Sequence, residues 1–186
     1  MEVSELNTLL SETDNLNKEF NKLKNHNELM KSFISETNEY YKNLSVKEAL
    51  VRMVSEHNYK VRGKVLNCED IGVKIRIGDI CYVDFGLNYL NEAGFQHFAL
   101  IVAIKNHKAL VIPMTSNSRA VFESKHHKKP HLLYLGKLDG MNKESALFLN
   151  DMRFINTARI IDVKAHLKVK SFQFKQIKNK IIEIVK

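Results

Sequence analysis

The sequence predicts an α+β chain: a long helical extension over residues 1–60, then a small twisted β-sheet or partly open barrel with a C-terminal helix over residues 61–186. Three observations predict it. Apolar residues recur at heptad spacing between Leu6 and Tyr41; from Gly63 the pattern changes to short alternating or β-branched runs; and the closing stretch "SFQFKQIKNKIIEIVK" returns to helical spacing.

In the extension, Leu6, Phe20, Ile34 and Tyr41 fall at one seam position and Leu9, Leu16, Leu23 and Met30 at the other, with Thr13, Asn27 and Thr37 interrupting. The spacing predicts one long amphipathic helix. It either packs on its own domain or pairs with a second copy as a coiled coil, where facing Asn27 amides would fix the register. "SVKE", Ser45 to Glu48, predicts a capping box that opens a shorter helix running to about His57.

Beyond Gly63, "IRIGDICYVDFG", "FALIVAI", "ALVIPM", "HLLYL" and "ALFL" read as strands, the second and third joined by the turn-like "KNHK". Close spacing of short strands favours a small sheet or partly open barrel. In the last helix Phe174, Ile177, Ile181 and Val185 form one stripe behind a Ser171 N-cap. Two connections are too long for tight turns: "GLNYLNEAGFQ", and "TSNSRAVFESKHHKKP", which reads as a basic loop carrying Arg119, Lys125, His126, His127, Lys128 and Lys129 around Phe122.

Charge is distributed unevenly. Residues 1–60 hold eight Lys/Arg and ten Asp/Glu, a net of −2, so the remaining residues carry +10 and the whole chain +8. A concentrated positive field attracts polyanions, nucleic acid above all, although lysines also serve simply to solubilise a surface. No stretch approaches the roughly 20 apolar residues of a membrane span, and "MEVSELNTLLSETDN" lacks the basic and apolar regions of a signal peptide. A soluble cytoplasmic protein is therefore expected. Cys68 and Cys81 lie outside any metal-binding spacing and read as small apolar residues or free thiols. In "KHHKKPH", adjacent histidines on an extended chain point to opposite faces, which favours a solvated loop over a metal site.

Taken in order, "GDICYVDFG", the loop glutamate, "ALIV", "IPMTS" and "SALFLNDMRFINTARI" resemble the PemK/MazF-type toxins of bacterial toxin–antitoxin systems over Ile77 to Val185. That family has a Gly-Asp strand ending in Asp-Phe, a "GxRPALIV"-like strand opening, a Pro-x-Thr-Ser strand end and a "QIRTIDKSRL"-like segment. Gly78, Asp79, Asp84 and Phe85 match the first strand, Thr115 and Ser116 the Thr-Ser pair, and Arg153 and Arg159 the two later arginines. The family's Arg-Pro is His97-Phe98 here, with Glu92 five residues before it; a one-residue slip would put Gln96 there instead, but the ungapped spacing to Ala99 favours His97.

The resemblance implies a PemK/MazF/CcdB-like fold and a metal-independent endoribonuclease on single-stranded RNA, in which the ribose 2′-OH attacks the adjacent phosphorus to leave 2′,3′-cyclic phosphate and 5′-OH ends. It also implies no cofactor, a homodimer and a cognate antitoxin partner. His97, Thr115, Ser116 and Glu92 become the candidate catalytic residues, and Gln96, Arg119, Lys125, Lys128 and Arg153 the candidate RNA contacts. An imidazole, unlike a guanidinium, titrates near pH ~6.5, so His97 is suited to proton transfer while surrendering permanent charge, which Arg119, Lys125 or Lys128 would have to supply. Asp79 and Asp84 read as structural ties. The other reading is a non-catalytic binder on the same scaffold, either a poison of a protein target like the CcdB-type toxins or a nucleic-acid binder that does not cut. The acidic extension either restrains the basic domain in cis or supplies a dimer seam.

Overall fold

The computed structural model describes residues 2–185, which fall into two compact units divided between Leu50 and Val51. Each follows from its own sequence pattern.

The first unit does not contain the single long helix that the heptad spacing predicts. It holds α1 (Val3–Glu12) and α2 (His26–Lys42), separated by irregular chain and one 3₁₀ turn at Phe20–Lys22. The break has a local cause. Thr13 leaves helical geometry at ψ 112°, and Asn15 Oδ1 accepts the Asn17 N–H, so short polar side chains offer the backbone partners that compete with the helix. Neither helix has a buried residue.

The third helix, α3 (Val46–Arg62), opens on the expected box: Glu48 Oε2 accepts the Ser45 N–H at 3.0 Å and Ser45 Oγ accepts the Glu48 N–H at 3.3 Å. It continues a full turn beyond His57. From Val51 onward it belongs to the second unit, where Ser55 is buried and the Arg62 guanidinium donates to the Ile160 carbonyl at 3.1 Å.

That unit is built on seven antiparallel strands: β1 (Asp79–Asp84), β2 (Gln96–Lys105), β3 (Lys108–Thr115), β4 (Leu132–Gly136), β5 (Ser145–Phe148), β6 (Arg153–Asn156) and β7 (Ile160–His166). The open sheet runs β4-β5-β3-β2-β1-β7, with β6 also paired to β3. "KNHK" closes the β2–β3 hairpin with Lys105 opposite Lys108; Asn106 and His107 both take positive φ, as a two-residue hairpin turn matched to strand twist demands.

Period-two alternation sends the strand side chains into two cores. Ile80, Leu100, Ile112, Met114 and Leu147 pack with α5 (Phe172–Ile184), while Cys81, Val83, Ala99, Ile101, Val111, Ile155 and Ile160 form a second cluster on the other face, joined by Val73 and Ile75. Ser171 caps α5 by accepting the Phe174 N–H, and Phe174 and Ile177 are buried, whereas Val185 at the end of the predicted stripe is exposed. Phe174→Ala is expected to cost about 3–5 kcal/mol in urea unfolding, the usual penalty for emptying a core aromatic site. Both cysteines are free and buried, and burial pushes the Cys81 thiol up to about 12, so it is unreactive at neutral pH. Among the described residues no helix is long and apolar enough to cross a membrane.

Candidate active site at the strand fork

Strands β2 and β3 pair from the hairpin up to Ala99 opposite Pro113 and then part. Proline has no N–H to continue the ladder. Beyond it Met114 and Thr115 pair instead with Leu147 and Ala146 of β5, while Phe98, His97 and Gln96 pair with Tyr82, Val83 and Asp84 of β1. A fork results. By alternation His97 stands on the β2 face that carries Ala99 and Ile101, and Thr115 on the β3 face that carries Val111.

His97 is exposed, and its Nδ1 lies 2.5 Å from the Gly94 carbonyl oxygen. A carbonyl only accepts, so Nδ1 is the nitrogen that donates there, which in a neutral ring leaves the lone pair on Nε2. Gly94 is itself held close: a Cβ there would fall 1.8 Å from Asn88 Oδ1, while Asn88 Nδ2 donates to the Tyr89 and Glu92 carbonyls. The loop between β1 and β2 is thus closed from within, and its base is sealed by the Phe85 N–H donating to the Phe95 carbonyl and the Phe95 N–H donating to the Gly86 carbonyl.

The Glu92 carboxylate accepts the Tyr89 N–H at 3.4 Å, within the loop. Arg153 anchors the same loop from β6, donating to the Ala93 carbonyl at 3.0 Å and to Asp151 Oδ1 at 2.5 Å, with its guanidinium 5.2 Å from the Phe85 ring centroid; Asp151 also accepts the Ala93 N–H. Arg159 donates to the Asp84 and Phe85 carbonyls. The Gln96 amide donates to Ser55 Oγ at 2.7 Å and to the Val51 carbonyl at 3.3 Å, so it faces α3. Asp84, 5% exposed, gathers Ser55 Oγ at 2.7 Å, Asn58 Nδ2 at 2.6 Å and the Gly86 N–H at 2.9 Å, tying helix, strand and loop at one carboxylate. Asp79 plays a comparable part at the other end of β1, where it accepts from His166 Nδ1 at 2.8 Å and the Arg76 N–H at 2.8 Å.

Half of the stretch read as a basic loop is a helix. Asn117 accepts the Arg119 and Ala120 N–H groups and so starts α4 (Ser118–Lys125), which buries Val121 and Ser124. The helix fixes where the cations go. Arg119 bonds Glu123 at 3.1 Å; Lys125 bonds both Glu144 oxygens, at 2.7 and 2.9 Å, and sits 4.8 Å from the Tyr134 ring centroid; Lys128 lies 4.8 Å from that of Phe122. Hydrogen bonding from Lys125 and Tyr134 holds the Glu144 carboxyl below its usual range.

A cleft of about 450 Å³ opens where β3 turns away. It is lined by Thr115 and Ser116, an apolar floor of Phe98, Met114 and Met141, and the polar Asn142, Lys143, Ser145 and Lys164. No carboxylate lines it. His97, Glu92, Arg119, Lys125 and Lys128 lie outside the lining, and Thr115 Oγ1 accepts the Asn117 N–H at 3.1 Å, which orients the threonine at the strand end. Among the described residues, no three His, Cys, Asp or Glu side chains gather where they could hold a metal ion.

Solved structures with a similar arrangement of strands are known. The chain is similar to MazF toxins. It matches a MazF structure from Deinococcus radiodurans at 13% identity and TM-score 0.48, covering 61% of this chain and 97% of that one. It matches the Mycobacterium tuberculosis toxin MazF-mt6 at 12% identity and TM-score 0.42, covering 57% and 95%. A mycobacterial endoribonuclease solved with its cognate antitoxin matches at 12% identity and TM-score 0.43, covering 61% and 95%. No family model matches the sequence, and no curated protein matches it.

The sequence pointed to Thr115 and Ser116 through the strand-end motif. It gave no hint of Asn142, Lys143, Ser145 or Lys164, which reach the cleft from β5, the chain before it, and β7. The usable signal was Gly140. It takes φ +84°, and a Cβ there would come within 2.7 Å of the Lys164 carbonyl, so a glycine is what lets this segment lie against β7.

Proposed function

We propose that this chain is the toxin of a toxin–antitoxin pair and a metal-independent endoribonuclease that cuts single-stranded RNA. The observation that supports this best is the chemistry of the strand fork: two hydroxyls line a cleft with lysines and no carboxylate among its lining residues, and the neighbouring strand carries an exposed imidazole whose Nδ1 is held by the Gly94 carbonyl. The order of the strand-end motifs in the sequence supports it independently.

In this reading His97 Nε2 takes the proton of the ribose 2′-OH, whose oxygen attacks the adjacent phosphorus. The P–O5′ bond breaks, the departing O5′ takes up a proton from solvent or from the imidazolium, and a 2′,3′-cyclic phosphate remains. The Thr115 and Ser116 hydroxyls donate to the non-bridging oxygens as charge builds on them. Glu92, Gln96 and Arg153 act by holding the loop and the β2 end in place, while Arg119 and Lys125 of α4 and Lys128 just beyond it offer outer contacts to the RNA backbone. The active form is a homodimer opposed by a cognate antitoxin.

Purified protein is expected to cleave unstructured RNA in excess EDTA. Thr115→Ala is expected to slow single-turnover cleavage by about 10²–10³-fold, the scale for removing one donor to a developing oxyanion. Undiminished cleavage by Thr115→Ala would remove the strand end from the mechanism.

A further inference from the structure

An imidazole such as that of His97 carries no permanent charge, and Arg119, Lys125 and Lys128 do not line the cleft. The geometry points to Lys143 and Lys164 as the phosphate-binding cations of this cleft, receiving one phosphate of a single-stranded nucleic acid between themselves and the Thr115–Ser116 hydroxyls. This rests on the reading of that strand end as facing RNA, and it names the charge and the polymer backbone that the site would take.

Four features support it. Both lysines are exposed and both line the same cleft as Thr115 and Ser116, although they come from separate segments. The approach of Gly140 to the Lys164 carbonyl brings those segments together. Among the described residues no acid lines the cleft, and the one carboxylate paired with a lining lysine, Asp162, lies outside the lining. Phe98 and Met141 give a floor against which a neighbouring base can stack or pack, a sequence-tolerant mode of gripping a single strand.

The two lysines are not equivalent. Lys164 forms an ion pair with Asp162 two residues away on β7, and that hydrogen bond holds the Asp162 carboxyl below its usual range. A phosphate must therefore compete with Asp162 for Lys164. Lys143 has no such carboxylate partner among the described contacts. Removing Asp162 should strengthen binding through Lys164 alone.

The test is anisotropy of a fluorescein-labelled 2′-O-methyl RNA of mixed sequence, titrated with full-length protein over a range of salt. This probe lacks the attacking hydroxyl, so binding is read whether or not the protein cuts RNA. Lys143→Ala/Lys164→Ala is expected to weaken binding and to flatten the log–log salt slope by about 1.4, or 0.7 per lost contact to a single strand. Lys175→Ala/Lys178→Ala, which removes the same charge from α5, should leave most of that slope. Asp162→Asn should tighten binding, and adding Lys164→Ala to it should abolish the gain. An unchanged slope in the cleft double variant, an equal loss in the α5 variant, or no binding by the wild type would each overturn the assignment. Binding that depends on the lysines without any RNA cleavage would instead retain the site and reject the nuclease reading.

Discussion

Asp84→Ala is expected to destabilise the sheet-bearing unit by about 3–5 kcal/mol in urea unfolding, the largest stability effect of any single polar substitution here. The carboxylate is buried and accepts from Ser55, Asn58 and the Gly86 backbone, so alanine removes the common acceptor of three donors. Hydrogen bonds to a charged group contribute about 1.5–3 kcal/mol each, and the loss is less than their sum because water reaches part of the gap. Asp84→Asn keeps one acceptor oxygen and should lose less. The position also carries a functional consequence: the same carboxylate orders the end of β1 opposite Gln96 and the first residue of the loop that tethers His97. A loss below 1 kcal/mol on Asp84→Ala would mean that the network is not a tie.

The second large effect falls on chemistry alone. His97→Gln is expected to lower single-turnover RNA cleavage by about 10²–10⁴-fold, the range for loss of a general base. Because His97 is exposed and belongs to neither core, its thermal unfolding should match the wild type. A hydrogen-bonding but non-basic side chain separates proton transfer from positioning. If His97→Gln retained full activity while Thr115→Ala did not, the imidazole would have no part in proton transfer and the cleft hydroxyls would act with another base.

How much of this was legible in the sequence varied with the physics of each segment. The core strands were legible because "ICYV", "ALIV" and "LVIPM" combine β-branched residues with burial on both faces of the sheet. The strands β6 and β7 were not distinguished: "RFIN" is four residues long, and a 3₁₀ turn at Thr157–Arg159 separates it from "IIDVKAH", whose charged residues alternate outward. The heptad spacing between Leu6 and Tyr41 misled because its side-chain period says nothing about the backbone competition that Thr13, Asn15 and Asn17 offer. The α4 helix was hidden by the lysines and histidines that follow it, although Asn117 ahead of "SRAVFESK" is a readable N-cap.

The candidate site divided the same way. Thr115 and Ser116 were found because they follow Pro113 at a strand end, a local pattern. Gln96 and Arg153, expected at the RNA, also bond partners on α3 and in the β1–β2 loop, which are distant in sequence and left no local pattern to read. Lys143 and Lys164 are joined only by the fold, and only the positive φ of Gly140 hinted that their segments meet.

The central claim is that this strand fork cuts RNA through the 2′-OH. The most direct measurement maps the ends of an unstructured RNA incubated in EDTA with wild-type protein and with His97→Gln. The account predicts 2′,3′-cyclic phosphate and 5′-OH ends at discrete positions with the wild type, and their loss with the variant. Fragments with 3′-OH and 5′-phosphate ends, or RNA left intact by folded wild-type protein, would contradict it.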